Sequence, residues 1–160
     1  KIHVFIEFLN RTESVCIFKS HFNQLLSLDT ALERSGRVID ISNDSRLPDI
    51  EKIMMGVDIL ITDYSSISID ALLLDLPCIF INSDIHEYLC ATGDFCCDYG
   101  SLAAGAHVNT MREMIDALND LIDGKDAFQE KRRSALELFF TPSAHTATER
   151  LSSFMKGLIS

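Results

Sequence analysis

No stretch of this sequence approaches the length of apolar run needed to cross a membrane as a helix, and its first residues carry no signal-peptide pattern. Basic residues are scarce: 14 Lys and Arg stand against 24 Asp and Glu, a formal net charge of −10. That balance argues against a nucleic-acid partner or an anionic membrane surface, since both select for basic patches. A negatively charged nucleotide would need positive charge supplied locally. No two of the five cysteines form a C-x-x-C pair. Cys16 and Cys78 sit in apolar runs and Cys96 and Cys97 are adjacent, as expected of reduced cysteines in a cytosolic protein. The motifs G-x-x-x-x-G-K-[ST], G-x-G-x-x-G and G-x-S-x-G are all missing, which excludes a P-loop, a dinucleotide fingerprint and a nucleophile elbow. No His, Cys or carboxylate pair has the spacing of a recognised metal site, and no Asp-x-Asp occurs to hold a metal on a diphosphate. Neither a metal nor a cofactor is expected.

What is present reads as one domain. A chain of 160 residues can bury about two-thirds of its unfolded surface, and it contains no repeat, low-complexity tract or interdomain linker. Its first residue is Lys rather than Met, so a piece of a longer protein is expected. Residues 1–12 predict a leading helix with Ile2, Phe5, Ile6 and Leu9 on one face. Strands are expected over 14–19, 37–41, 57–61 and 78–81, with a short one at 107–108. Helices are expected over 24–34, from Pro48 to Met55, and over 67–74, 110–123, 125–140 and 145–159. Thr110 with Glu113 forms a capping box, and Gly124 closes that helix. In the last helix Leu151, Phe154, Met155 and Leu158 make the apolar face. Residues 82–106 read as a long irregular connection, which in a compact domain is more often functional than idle. The alternation predicts an α/β fold with a doubly wound, single parallel sheet.

The centre of the pattern is the stretch from Val57 to Asp70. A β-branched run, expected to be buried on both sheet faces, stops at Thr62-Asp63. Tyr64-Ser65-Ser66 then leads into an apolar helix ended by Asp75-Leu76-Pro77. Two hydroxyls and several backbone N–H groups thus meet at a helix start, where a phosphate is readily held. Ordinary capping by Asp and Ser explains the same residues, and both readings stand at this point. Ligands of open α/β sheets sit beyond the carboxyl ends of the strands. There the sequence places Lys19 and His21, then Ser42 to Arg46, then Asp63 to Ser66, then Asn82 to Tyr88. His21 could act as a general base or place a proton on a phosphate oxygen; the plainer reading is an incidental loop histidine. Lys19 could supply positive charge or be merely solvated. Asp70, one turn beyond Ser66, could accept from ribose hydroxyls or bond a neighbouring loop.

Asp58-Ile59-Leu60-Ile61-Thr62-Asp63-Tyr64-Ser65-Ser66, then Asp70, Leu74 and Pro77 to Ile81, resembles the signature of the CDP-glycerol glycerophosphotransferases, the teichoic-acid and capsule polymerases. Ile17-Phe18-Lys19-Ser20-His21 is similar to that family's basic-x-His-Pro strand end. Residues 41–54, Asp84 to Tyr88, Gly93 to Tyr99 and Glu149-Arg150 align with further pieces, so the likeness runs from about residue 13 to the end. Phosphatases with an aspartyl nucleophile also place Asp after such a strand, but they need a second acid where Ser65 stands.

The resemblance implies the C-terminal, donor-binding half of a GT-B transferase built of two Rossmann-like domains. It also implies an absent N-terminal half, a CDP-glycerol donor, a lipid-linked or polymer acceptor, and a cytoplasmic place on the inner face of the membrane. By the same resemblance Ser65 and Ser66 contact the donor phosphates and His21 is one of two functional histidines; Lys19, Ser42, Asp63, Tyr64 and Asp70 are the further residues expected to bind the donor. Two positions depart from the pattern: Phe22 stands where Pro is usual, and Thr92 where an arginine precedes the glycine. The alternatives are a nucleotide-binding or assembly module without chemistry, and a GT-B enzyme using a sugar nucleotide.

Overall fold

The computed structural model describes residues 2–20, 28–42, 49–93, 95, 98–140 and 147–159. Strands β1 (Cys16–Phe18) and β2 (Val38–Asp40) pair in parallel, with Cys16 opposite Val38. Strands β3 (Leu60–Thr62), β4 (Cys78–Ile81) and β5 (Ala106–Val108) form a second parallel ladder in that order. Among the described residues the strands therefore make two ladders, where the sequence predicted one continuous sheet. The ladders nevertheless share a core. Cys16 and Val38 pack with Ile59 and Ile61 against a cluster of Phe5, Phe8, Leu9, Ile79, Val108, Met114 and Leu118.

Helices cover both faces of the larger ladder, and β4 shows why. Its side chains alternate in direction. Ile79 joins the cluster built on α1 (Ile2–Arg11) and α7 (Met111–Ile122). Cys78 and Phe80 join Met54, Ala71, Leu76 and Ala103 on the other face. That face carries α3 (Ile50–Met54), α4 (Ile67–Leu72) and α6 (Tyr99–Leu102). A third cluster of Leu72, Ala104 and Ala135 seats α8 (Gln129–Phe139) against α4. The expected fold class holds, with helices on either side of parallel strands.

The strand buried on both faces is β4 rather than the 57–61 run. Ile79 and Phe80 are almost fully buried, because β4 lies between β3 and β5. The side chains of β3, at the edge of its ladder, are only half-buried. At the start of β5, a Cβ on Gly105 would run into the backbone carbonyl of Cys78; only glycine permits that approach.

Helix boundaries moved where side chains compete for backbone groups. α2 (Thr30–Arg34) is capped by Asp29, whose carboxylate accepts from Ala31 N–H; residues 24–27 of the helix expected over 24–34 lie outside the described residues. α8 begins at Gln129 instead of near Lys125, since Asp126 accepts from Phe128 N–H and holds a turn there. The capping box of α7 forms as expected, with Thr110 and Glu113 bonding reciprocally. On α7, Met114 and Leu118 are buried, with Met111, Ile115 and Leu121 packed against the same cluster, while Ile122 is exposed at the helix end. In α1, Phe8 joins Phe5 and Leu9 in the core. The 82–106 segment is more ordered than expected, holding α5 (Ile85–Thr92) as well as α6. The expected packing face of α9 (Ala147–Ile159) stays exposed and joins none of the three clusters.

Candidate functional site

The turn after β3 is set by its own side chains. Asp63 Oδ1 accepts from Ser65 N–H at 3.0 Å, which reverses the chain as an Asx-turn does. Ser68 Oγ then donates to the Ser65 carbonyl at 3.0 Å. Ser66 occupies the N-cap of α4 but is already helical, at φ −62° and ψ −12°, and its side chain makes no capping bond. Asp63 and Ser68 thus order the turn, and the Ser65 and Ser66 hydroxyls are left over. Both serines are exposed. Among the described residues neither hydroxyl has a protein partner, and the N–H groups of Ser66 and Ile67 find no backbone acceptor. Four donors of one turn are therefore without a partner among the described residues, and an anion is what such donors suit. Asp70 is exposed one turn further along α4.

Tyr64 turns the other way. Its hydroxyl donates to Asp84 Oδ1 at 2.5 Å, and its ring lies 4.4 Å from that of Tyr88 at 28°. Phe95 and Tyr99 lie 6.2 Å away on either measure, and Phe95 stacks on Tyr99 at 4.6 Å. Burial and the accepting Asp84 carboxylate both push the Tyr64 pKa well up, so the phenol stays a proton donor. Tyr99 is pushed up to about 12 by burial and by the charge of Asp63.

A polar chain continues from Tyr99. Its hydroxyl donates to Asn82 Oδ1 at 2.9 Å, and the Asn82 amide meets His107 Nδ1 at 2.5 Å. The amide nitrogen is then the donor, so His107 carries its proton on Nε2 and donates to the Ala103 carbonyl at 3.1 Å. Sequence reasoning found Asn82 to Tyr88 as polar groups beyond a strand but gave Phe95, Tyr99 and His107 no place in the site. The signal for Phe95 and Tyr99 was an aromatic every few residues through a segment otherwise read as irregular, while His107 fell in the short strand expected at 107–108.

The other expected residues separate in position and in use. Lys19 is exposed just past β1 and forms no ion pair among the described residues. Ser42 Oγ accepts from Ser20 N–H at 2.8 Å, while Ser42 N–H donates to Asp40 Oδ1 at 2.8 Å. It ties the end of β1 to the end of β2. His21, Phe22 and the polar segment 43–48 lie outside the described residues, as do Asp94 and the side chain of Thr92. No group of three or more His, Cys, Asp or Glu among the described residues is placed to hold a metal. The Cys78 thiol, buried, is pushed up to about 12 and is no nucleophile.

Comparison with known proteins adds one family, two relatives and two solved structures. A family model described as CDP-glycerol:poly(glycerophosphate) glycerophosphotransferase matches residues 3–156. The teichoic acid ribitol-phosphate polymerase TarL of Staphylococcus aureus is 28% identical over 144 residues, covering 90% of this chain and 24% of that protein. The teichoic acid glycerol-phosphate transferase of the same organism is 27% identical over 137 residues, covering 86% of this chain and 34% of its own length. The chain thus spans between a quarter and a third of these relatives. Among solved structures, the wall teichoic acid polymerase TagF superposes with a TM-score of 0.76 at 23% identity, covering 99% of this chain and 38% of that one. A variant of TagF soaked with CDPG superposes at 0.72 and 22% identity, covering 96% and 37%.

Proposed function

Because this chain belongs to the CDP-glycerol:poly(glycerophosphate) glycerophosphotransferase family, we propose that it is the donor-binding half of a GT-B transferase. The enzyme would pass glycerol phosphate, or a related polyol phosphate, from a CDP-activated donor to a hydroxyl of a lipid-linked or polymer acceptor. The acceptor oxygen forms a bond to the distal phosphorus, the bond from that phosphorus to the CMP oxygen breaks, and CMP leaves. The N-terminal half of the same protein would bring the acceptor. The observation that carries this reading is the pair of hydroxyls on Ser65 and Ser66, uncommitted among the described residues, beside two backbone N–H groups that find no backbone acceptor there, at a turn ordered by Asp63 and Ser68.

Those donors suit a diphosphate in a chain of net charge −10. Neutral hydroxyls and amides hold phosphate oxygens without needing a basic patch, and Lys19 would add the local charge. Asp70 would take the ribose hydroxyls, and His21 would move the proton. We place the protein in the cytoplasm, peripheral to the inner membrane face; among the described residues no helix is long and apolar enough to cross a membrane. Thr92, where the family pattern has arginine, favours a second reading, a nucleotide-binding module without turnover.

Calorimetry with CDP tests the site. Each hydrogen bond to a charged phosphate contributes about 1.5–3 kcal/mol, so Ser65→Ala with Ser66→Ala should weaken CDP binding by about a hundredfold or more. Equal affinity in the double variant and the parent chain would remove both serines from the donor site.

A further inference from the structure

The residues after β4 are the part of the family-like pattern that the donor chemistry leaves unused. Asp84, Tyr88, Phe95 and Tyr99 come from a connection expected to be irregular, yet all four converge on one side chain. Asp84 takes the Tyr64 hydroxyl; Tyr88 stacks on the Tyr64 ring, and Phe95 and Tyr99 close around it. Phe95 also stacks on Tyr88, at 5.8 Å, so the rings form one continuous group. The group is anchored below by Phe80, which is almost fully buried and meets the edge of Tyr99 at 6.3 Å. A second anchor is the Tyr99–Asn82–His107 chain.

Tyr64 immediately precedes Ser65. Ser68 and Ile69 hold the Ser65 and Ser66 carbonyls from the helix side, while on the strand side the exposed turn is held by the bond from Ser65 N–H to Asp63. Such a bond in water contributes little by itself, and an exposed Asx-turn frays readily. Fixing the Tyr64 ring and hydroxyl removes rotor freedom from the residue that sets the direction of the serines. We propose that Asp84, with Tyr88, Phe95 and Tyr99, is a positioning device: it clamps Tyr64 and so presets the Ser65-Ser66 turn for an anionic ligand. This rests on the donor-site reading for the identity of the ligand, while the clamp itself is a property of the free chain. Asp84 is a positioning residue and touches no substrate.

The test uses the intact chain with Asp84→Ala, Asp84→Asn and Tyr64→Phe, read by amide exchange at Ser65 without ligand and by CDP titration. Asn keeps an oxygen for the Tyr64 hydroxyl; Ala does not, and Phe removes only the hydroxyl. Asp84→Ala and Tyr64→Phe should each speed Ser65 amide exchange several-fold and weaken CDP binding about tenfold. Their combination should do no more than either alone, because both remove one interaction. Asp84→Asn should recover most of both effects, which loss of a merely structural contact elsewhere would not explain. Unchanged Ser65 exchange in Asp84→Ala and Tyr64→Phe overturns the clamp, whatever happens to CDP. Faster exchange in those variants of a chain that binds no CDP in its parent form upholds the clamp and overturns the donor reading.

Discussion

In a polypeptide that joins this chain to the proposed acceptor-side half, the proposed role of His21 predicts that His21→Ala lowers CMP release from CDP-glycerol by roughly 10²–10⁴, with donor affinity nearly unchanged. A side chain that handles a proton in the transition state contributes to rate and little to ground-state binding. The backbone just ahead of His21 is suited to hold it: Ser20 N–H is fixed on Ser42 Oγ, and Ser42 N–H on Asp40. The 160-residue chain alone should bind CDP and release no CMP. Phosphoryl transfer depends mainly on alignment and charge stabilisation, and one domain cannot bring an acceptor hydroxyl into line. The assay compares CMP release by the joined protein, with and without His21→Ala, and by the isolated chain. A wild-type rate in His21→Ala would remove this residue from the mechanism. Turnover by the isolated chain would overturn the two-domain reading.

The second large effect concerns stability. Arg132 is 3% exposed, and its guanidinium donates to both Asp126 oxygens, at 3.0 and 2.7 Å, and through Nε to Asp75 at 2.8 Å. Burial alone would lower the Arg132 pKa, but the hydrogen bonds to Asp126 and Asp75 more than offset this and raise it. The same bonds hold Asp126 below the ordinary carboxylate range. Asp126→Ala leaves a buried cation with only the half-exposed Asp75, and such losses cost about 3–5 kcal/mol. The lower end is expected here, because a quarter of the Asp126 side chain reaches solvent. Adding Arg132→Met should restore part of the loss, since an apolar side chain then fills the space without an unpaired charge.

The pH dependence of this pair has a fixed sign. With its folded pKa below the unfolded value, Asp126 stabilises the fold fully above about pH 5 and loses that contribution as pH falls through the lowered folded pKa. Urea titrations of the parent chain, Asp126→Ala and the double variant would show it. A single variant as stable as the parent, or a double variant weaker than the single, would contradict the role given to the pair.

The turn at Asp63 to Ser66 was legible because an apolar run, two polar residues, two serines and a second apolar run can hardly be read otherwise than strand, turn and helix. What the sequence left open was whether the serines cap α4. Only the placement of Asp63 and Ser68 in that work answered it. The clamp on Tyr64 was not legible as such. Ile85, Tyr88 and Leu89 have helical spacing, but eight residues between Asp84 and Gly93 offer too few turns for a periodic signal. The convergence of Phe95 and Tyr99 on Tyr64 is a tertiary fact with no local cause. The split into two ladders escaped for a related reason. Strands of three residues carry too little alternation to reveal which strands pair, and Ile17 and Ile39 are exposed. The long apolar run at 57–61 drew attention to the wrong strand, because depth is set by having neighbours on both sides, as β4 has.

The most direct measurement is a crystal structure of this chain with bound CDP-glycerol. The diphosphate should lie on the turn between β3 and α4, with its oxygens within hydrogen-bond distance of the Ser65 and Ser66 hydroxyls and of the Ser66 and Ile67 N–H groups. The Tyr64–Asp84 bond should remain intact. A nucleotide bound elsewhere on the chain, or serines turned away from its phosphates, would contradict the account.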